Sequence, residues 1–304
     1  MALSERMQQI MKKTACLFFI ALAILIFSLP GCQQNTAVHP RPVPQETAPS
    51  ADKPPSLSEE LPVAVEVPAN PVSANNETLS WYYVRNQDHK TPGINTDIAF
   101  SLRDYDAYYI GSKDPVIFLT FDEGYENGYT AEILDTLKSS QVPAAFFVTG
   151  PYISSNPELV QRMVEEGHIV GNHSQTHPSM PSKANDLEAF KREITDVENS
   201  FQEITGTQMA KFFRPPRGEY SEKSLSLTKE MGYKTIFWSF AYQDWLVDQQ
   251  PDPEEAYRRI MQGTHNGQIM LLHAVSSTNT QILDRIIKDI KNEGYRFAPL
   301  TELE

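Results

Sequence analysis

Two carboxylates stand side by side, Asp122 and Glu123, at the end of the apolar run in FLTFDEGYENGY, residues 118–129. Gly124 follows at once. A carboxylate at a strand end can accept a proton in catalysis, bind a metal ion, or only mark where a buried strand meets solvent. These three interpretations stay open until the surrounding residues are considered.

Two histidines, His173 and His177, lie four residues apart in the segment HSQTH. On a helical turn, side chains at this spacing share one face, so both imidazoles could bind the same metal ion. We therefore predict a helical turn here. The alternative is a surface turn with two solvated histidines, because this spacing is common by chance.

The cysteines restrict what kind of metal site is possible. Cys16 and Cys32 both lie within the first 32 residues, and the rest of the chain has no thiol. A disulfide, a cysteine zinc site and a cysteine nucleophile are therefore excluded there. Any metal must be held by His, Asp or Glu.

From residue 115 onward, short apolar runs rich in β-branched and aromatic residues alternate with amphipathic stretches. The predicted strands are 116–121, 144–150, 168–173, 211–214, 234–239, 268–273 and 295–300. The predicted helices are 130–140, 157–166, 185–205, 221–231, 253–262 and 280–293. Doubly buried strands with helices between them indicate an α/β fold with a parallel sheet. Seven such units favour a barrel, with a doubly wound open sheet as the alternative.

In barrel enzymes the reacting groups lie at the carboxyl ends of the strands. Five predicted strand ends carry polar side chains that can move protons or bind metals. These are Asp122 and Glu123, His173 and His177, Arg214, Asp244 with Trp245, and His273. Each alone could be structural, but together they predict an active site.

Five motifs occur in the order TFDEG, HSQTH, RPPRG, DW and LLH. In this order they resemble the motifs of the polysaccharide deacetylases, the NodB-like family 4 of carbohydrate esterases, over about residues 110–304. The resemblance implies a distorted, incomplete (β/α)7 barrel. It also implies removal of N- or O-acetyl groups from polysaccharides with a divalent metal, usually zinc.

The resemblance implies a role for each residue of a proton-transfer system. Asp122 matches the catalytic base, and Arg214 matches the arginine that holds its carboxylate. His273 matches the acid that protonates the leaving amine. Asp244 matches the aspartate that orients this histidine and keeps it charged.

The resemblance also implies the metal ligands and the substrate pocket. His173 and His177 match the two imidazole ligands. Trp245 and Leu271 match the apolar residues that shape the acetyl pocket. The backbone N–H of Arg217 stands where the family donates a hydrogen bond to the oxyanion.

Two positions depart from the family pattern. Glu123 replaces the aspartate that is usually the third metal ligand. Its extra methylene moves the carboxylate by roughly one C–C bond, which is a large shift compared with metal–oxygen distances of about 2.0–2.2 Å. Glu123 therefore either binds the metal through a different rotamer or turns away and leaves two histidines. Arg217 stands where many members carry an aromatic residue.

Longer segments, GHIVGNHSQTHP, RPPRGEYS and LLHAVSSTN, resemble the muramic-δ-lactam-forming peptidoglycan deacetylases, a branch that also lacks the second aspartate. This implies deacetylation of N-acetylmuramic acid on peptide-free strands during spore-cortex maturation. Arg217 would then pair with the free lactyl carboxylate, or else form a structural salt bridge with Glu219. A GlcNAc- or chitin-type deacetylase and an inactive wall-binding lipoprotein of the same fold are the alternatives.

The first part of the chain resembles an export signal. Basic residues precede the apolar run ACLFFIALAILIFSL, and LPGC resembles a bacterial lipobox in which Cys32 becomes lipidated at the membrane. We expect an exported protein, anchored by lipid to the outer face of the membrane, with peptidoglycan strands as its partner. The net charge of −13 argues against binding nucleic acid. The predicted segments are a signal and lipobox at 1–32, a proline-rich disordered tether at 33–80, a flap packed on the barrel at 81–112 and a catalytic domain at 113–304.

Overall fold

A computed structural model describes residues 74–85, 88–95 and 98–303. The predicted signal segment, Cys32 and nearly all of the predicted tether lie outside these residues. Within them, no helix is both long and apolar enough to cross a membrane.

Twelve short or medium strands occur in the described part of the chain. They are β1 Leu79–Ser80, β2 Tyr83–Val84, β3 Gly93–Ile94, β4 Ala107–Tyr108, β5 Val116–Glu123, β6 Ala144–Val148, β7 Ile169–Asn172, β8 Phe212–Phe213, β9 Glu219–Tyr220, β10 Lys234–Ile236, β11 Gln268–His273 and β12 Arg296–Phe297. The central sheet has the order β11-β5-β6-β7-β8-β10-β4, and β12 pairs with β5. Every pairing in this sheet is parallel. Two antiparallel pairs, β1–β9 and β2–β3, lie outside it.

Helices follow most strands of the central sheet, as expected for parallel connections. They are α1 Thr130–Ser140, α2 Gly150–Ser155, α3 Pro157–Glu165, α4 Met180–Lys183, α5 Leu187–Thr205, α6 Glu222–Glu230, α7 Pro253–Gly263 and α8 Ser277–Asn292. Short 3₁₀ turns occupy Leu102–Tyr105, Pro216–Gly218 and Leu300–Glu302.

The predicted incomplete barrel is confirmed, and the structure locates its distortion after β10. The sequence predicts a strand over 234–239, but the strand ends at Ile236 because the chain then changes neighbours. Phe237 N–H still donates to the carbonyl of Tyr108 at 2.7 Å, whereas Phe240 forms a bridge to Met270 of β11. The segment after β10 thus closes the gap between the two edges of the curled sheet.

Two other predictions need correction. The strand predicted over 144–150 ends at Val148, because Thr149 caps helix α2 by accepting the N–H of Tyr152 at 3.3 Å. A helix of six residues is too short to produce a readable apolar period. Residues 107–108, predicted as part of a flap outside the sheet, form the parallel edge strand β4.

The alternation of side chains along β5 determines which residues face the inside of the barrel. Ile117, Leu119 and Phe121 pack in the large core between sheet and helices. Val116 and Phe118 pack in a second cluster with residues of the C-terminal segment. Because successive side chains of a strand point to opposite faces, even-numbered positions of β5 face inward and odd-numbered positions face the helices.

Candidate active site

The same alternation separates the two adjacent carboxylates. Asp122 continues the inward-facing row and lines a cavity at the carboxyl end of the sheet. Glu123 continues the outward-facing row and is fully buried. The strand therefore brings Asp122 into the candidate site and directs Glu123 toward the helices.

Arg214 is fully buried and holds Asp122 from the inside of the barrel. Its Nη1 donates to Asp122 Oδ1 at 2.8 Å and to Thr120 Oγ1 at 2.9 Å. Its Nε donates to the carbonyl of Ile236 at 3.0 Å, and Nη2 donates to that of Phe237 at 3.4 Å. The guanidinium is thus fixed from several directions, and so is the carboxylate that it contacts.

The charges around Asp122 keep its carboxylate ionised. Burial by itself raises the pKa of Asp122, but the attraction of Arg214, and then of His173 and His273, outweighs it. The net effect holds the pKa of Asp122 below its ordinary value. A carboxylate in this state can accept a proton at neutral pH.

The prediction of a helical turn at HSQTH is wrong, because residues 173–177 form a loop. Ser174 and His177 adopt left-handed backbone conformations, with φ of 67° and 56°. Ser174 Oγ accepts the N–H of His177 at 3.0 Å and closes the loop. The two histidines therefore meet through a tight loop, and their ring centroids lie 4.9 Å apart.

Glu193 of helix α5 supports this loop from below. Its carboxylate accepts the backbone N–H and the hydroxyl of Thr176, both at 2.8 Å, and its carbonyl accepts the N–H of Gln175 at 2.8 Å. Lys183 lies 3.7 Å from the same carboxylate. These hydrogen bonds stabilise the loop and offset the conformational free energy that its two left-handed residues cost.

Both imidazoles are suited to bind a metal ion. His173 Nδ1 lies 2.8 Å from the carbonyl oxygen of Arg214, so Nδ1 carries the hydrogen and Nε2 keeps a free lone pair. This Nε2 lies 3.7 Å from Asp122 Oδ2. Burial lowers the pKa of His173 to about 4 and also lowers that of His177, so both rings are neutral at pH 7.

Glu123 does not join the two histidines. The carboxylate whose charge acts on both imidazoles is Asp122, and both oxygens of Glu123 are buried without a hydrogen-bond partner. Burial, followed by the charges of Glu126 and Asp122, raises the pKa of Glu123 well above its ordinary value. Among the described residues, no three His, Cys, Asp or Glu side chains lie close enough to hold a metal ion. Within the described residues, the side chains present here that could ligate a metal ion are therefore the two imidazoles of His173 and His177.

A second pair, the buried Asp244 and the partly exposed His273, lies beside Asp122. Asp244 Oδ1 is 2.7 Å from His273 Nδ1, and Oδ2 accepts the backbone N–H of His273 at 2.8 Å. Asn279 donates to the same Oδ2 at 2.6 Å. Burial lowers the pKa of His273, but Asp244 and then Asp122 outweigh it, so the net pKa is raised. This histidine therefore favours its charged form more than a free histidine does.

A cavity of about 860 Å³ unites these groups. Asp122, His173, His177, Arg217, Trp245, Leu271 and His273 all contribute to its wall. Trp245 is 45% exposed at the edge, and its ring centroid lies 5.5 Å from that of His273. Leu271 is buried in the wall. Arg214 and Asp244 lie behind this wall and contact the lining residues.

Arg217 has two neighbours that bear on its role. Its guanidinium lies 3.4 Å from the carboxylate of Glu219, and about half of its side chain is exposed. It also lines the cavity, and its positive charge contributes to the lowered pKa of His177. The ion pair expected for a structural role is thus present, on a side chain that still faces the site.

Two polar residues of the site were not predicted from the sequence. Thr120 shares the inward face of β5 with Asp122, so the two-residue spacing in TFD could have indicated it. Asn279 binds Asp244 and also donates to the carbonyl of His273 at 3.1 Å. Its only signal was its place six residues after His273 in LLHAVSSTN.

The comparisons with known proteins show the family to which the chain belongs. Residues 110–236 match the family model of polysaccharide deacetylases. One relative is 42% identical over 229 residues, which cover 75% of this chain and 86% of the relative. The chain therefore belongs to the polysaccharide deacetylase family, the family 4 carbohydrate esterases, which are hydrolases of amide bonds. That relative is PdaA of Bacillus subtilis, a peptidoglycan-N-acetylmuramic acid deacetylase.

Solved structures and a further relative extend the comparison. The structure of Bacillus subtilis PdaA matches with a TM-score of 0.73 and 41% identity, over 75% of this chain and 97% of that one. A peptidoglycan-N-acetylglucosamine deacetylase of Bacillus cereus is 31% identical over 204 residues, which cover 66% of this chain and 92% of the relative. A family 4 pseudoenzyme of Bacillus anthracis matches with a TM-score of 0.60 and 29% identity, over 65% of this chain and 68% of that one.

The pH dependence of stability tests the placement of Glu123. Because the pKa of Glu123 is raised on folding, the contribution of this residue to stability should fall as the pH rises above the unfolded pKa of about 4.3. Gln does not titrate, so the stability of Glu123→Gln relative to wild type should increase as the pH rises from about 4 toward 7. Urea unfolding at several pH values measures this difference.

The exposed Glu132 of helix α1 provides the matched control for that experiment. Glu132→Gln makes the same chemical change at an exposed position and shows what the substitution does away from the buried site. A difference for Glu123→Gln that stayed constant across the same pH range would contradict the assignment of a buried, unpartnered carboxylate.

The charge of Asp244 should set the alkaline limit of activity. In Asp244→Asn the raising effect on the pKa of His273 is lost, so this histidine should deprotonate at lower pH. The alkaline limb of kcat/KM for acetate release should move to lower pH, with a loss of about 10²-fold or more near pH 7. Asp248→Asn, at an exposed position nearby, should leave the limb in place. An unchanged limb in Asp244→Asn would exclude His273 as the acid held charged by Asp244.

Proposed function

We propose that the chain is a metal-dependent N-deacetylase of peptidoglycan that removes the acetyl group of N-acetylmuramic acid. One observation carries this proposal. Asp122 and His273 stand in direct register on the neighbouring parallel strands β5 and β11, and both line the cavity that the two histidines share. One of these groups is held ionised to accept a proton, and the other favours the charged form that can donate one.

His173 and His177 would hold the metal. Zinc suits them best because it prefers imidazole nitrogen, and when bound it would polarise the acetyl carbonyl and make attacking water more acidic. The donor set lacks a carboxylate because Glu123 faces the helices, so affinity is expected to be weaker than in sites with three protein ligands.

The chain's own residues account for the proton transfers. Asp122 accepts the proton of the attacking water, and Arg214 compensates its charge before that transfer. His273 donates a proton to the departing nitrogen, and Asp244 stabilises the imidazolium until then. Water and amide thus become acetic acid and amine, which ionise to acetate and ammonium at neutral pH. Asp122 then loses a proton to solvent and His273 regains one, which restores the starting state. The backbone N–H of Arg217 is assigned to the oxyanion, a contribution of roughly 3 to 4 kcal/mol in comparable sites.

The side chain of Arg217 is assigned to the lactyl carboxylate of a peptide-free muramic residue. A half-exposed arginine on the cavity wall suits a carboxylate ligand, because its guanidinium can form two parallel hydrogen bonds to it. The ion pair with Glu219 does not prevent this, since exposed ion pairs contribute about 0–1 kcal/mol and exchange easily. Relatedness to PdaA of Bacillus subtilis supports the same substrate.

Two other functions have a specific observation in their favour. A deacetylase of N-acetylglucosamine would need no free cation, and the pairing of Arg217 with Glu219 is consistent with that. An inactive wall-binding protein is favoured by the missing carboxylate ligand and by the pseudoenzyme relative. The complete acid–base system of Asp122, Arg214, Asp244 and His273 favours an enzyme over this last alternative.

The proposed substrate also agrees with the expected location. A peptidoglycan deacetylase acts outside the cytoplasm, which suits an export signal, lipidation at Cys32 and a tether that extends into the wall. A role in spore-cortex maturation belongs to the same proposal and rests on resemblance to the muramic-lactam branch. Detection of a lipidated Cys32 by mass spectrometry of membrane fractions would test the anchor.

The substrate assignment is tested by comparing two glycans. Wild type should release acetate from peptide-free muramic strands, seen as deacetylated muropeptides by mass spectrometry, and the release should stop with a chelator and return with zinc. Arg217→Ala should lose roughly tenfold or more in kcat/KM on these strands, the worth of a charge-assisted hydrogen bond, and much less on chito-oligosaccharide.

Arg296 provides the matched control, because it is similarly exposed and paired with a glutamate, Glu302, at 2.7 Å. Arg296→Ala should leave both activities unchanged. Equal losses on both glycans for Arg217→Ala would contradict recognition of the carboxylate. If wild type with zinc released no acetate from either glycan, the proposal that the chain is a deacetylase would be contradicted.

A further inference from the structure

Residues Leu79–Val84, here called the strap, precede the residues matched by the family model and lie against the wall of the cavity. The backbone N–H of Trp81 donates to the carbonyl of Gly218 at 2.8 Å. Its indole Nε1 donates to the carbonyl of Trp238 at 3.0 Å. Both acceptors belong to residues that line the cavity, so the strap touches the back of the site itself.

The strongest contact comes from Tyr83. Its hydroxyl donates to the carbonyl of Ala241 at 2.7 Å and accepts the N–H of the same residue at 2.9 Å. One hydroxyl thus satisfies both polar groups of a residue that lines the cavity. Phenylalanine would fill the same space and leave both groups without this partner.

Ala241 lies between two residues that are fixed to other parts of the site. The preceding Phe240 is fixed to β11, because its carbonyl accepts the N–H of Leu271 at 2.8 Å. The following Tyr242 is hydrogen-bonded to Asn279, which also holds Asp244. Tyr83 is therefore hydrogen-bonded to the middle of the segment that connects Phe240, which is paired with β11, to Asp244, which binds His273.

We propose that Tyr83 is a positioning residue, whose hydroxyl fixes the Ala241 peptide so that Asp244 stays aligned with His273. The strap is then a working part of the active site, and the chain needs it for full activity in addition to the residues matched by the family model. This inference rests on the proposed deacetylase function of the site.

A purely structural role is the competing explanation. Trp81 stacks on Phe237 with ring centroids 4.7 Å apart, and strand β1 pairs with β9, so the strap also covers apolar surface. If covering this surface were all it did, the hydroxyl of Tyr83 would add stability without affecting the acid–base pair.

Tyr83→Phe separates the two explanations, because it removes only the hydroxyl. Tyr82→Phe is the matched control, since Tyr82 is the adjacent residue and half of its side chain is exposed. Both variants are compared with wild type well below their unfolding temperatures, and thermal unfolding is recorded in parallel. Acetate release is measured on peptide-free muramic strands and on chito-oligosaccharide, so that a wrong substrate assignment does not hide the result.

We expect Tyr83→Phe to reduce kcat about tenfold with little change in KM. This loss is smaller than the roughly hundredfold loss in rate that follows when a reacting group is displaced by about 1 Å. The alkaline limb of its pH profile should move to lower pH. Tyr82→Phe should match wild type in both respects. A Tyr83→Phe variant with a lower unfolding temperature but the kcat and pH profile of Tyr82→Phe would overturn the proposal.

An NMR titration of His273 provides a readout that does not depend on turnover. Asp244, Asp122 and Arg214 are the charged groups that act on His273, together with the nearby His177. If Tyr83 aligns Asp244, the pKa of His273 should fall in Tyr83→Phe and stay unchanged in Tyr82→Phe. An unchanged pKa in both variants would overturn the proposal, even if wild type released no acetate and the proposed function itself had failed.

Discussion

The buried ion pair between Arg214 and Asp122 is the interaction on which the site depends. A fully buried guanidinium is costly unless its charge is paired and its N–H groups are bonded, and both conditions are met inside this barrel. Arg214 directly follows β8 and its side chain reaches Asp122 on β5, so it connects two strands that do not neighbour each other in the sheet. The backbone carbonyl of the same residue fixes the tautomer of His173. One arginine therefore orients both the proposed base and one proposed metal ligand.

A simple geometric constraint separates the two carboxylates that the sequence presents together. Side chains alternate along a strand, so Asp122 faces the cavity and Glu123 faces the helices. A longer side chain does not overcome this, and Glu123 is left in a buried position with unpartnered oxygens. The proposed metal site consequently has two imidazoles as its protein ligands. The acid–base system, which does not use Glu123, is complete.

Much of this could be read from the sequence because it depends on local patterns. The apolar runs that became β5, β6 and β11, and the amphipathic stretches between such runs, indicated the barrel. Polar residues at strand ends then identified Asp122, His173, Arg214 and His273. Three features could not be read in this way. The HSQTH loop depends on left-handed residues held by the distant Glu193, β4 is too short to show a period, and Asn279 reaches Asp244 only through the tertiary fold. The direction of Glu123 could have been predicted from the alternation along β5.

The most direct test of the account is the rate of acetate release by Asp122→Asn, on whichever glycan wild type hydrolyses and at a temperature where the variant remains folded. The account predicts a loss of about 10²- to 10⁴-fold, the usual contribution of a general base, with the acid His273 still in place. A variant that released acetate within tenfold of the wild-type rate would contradict the assignment of Asp122 as the base.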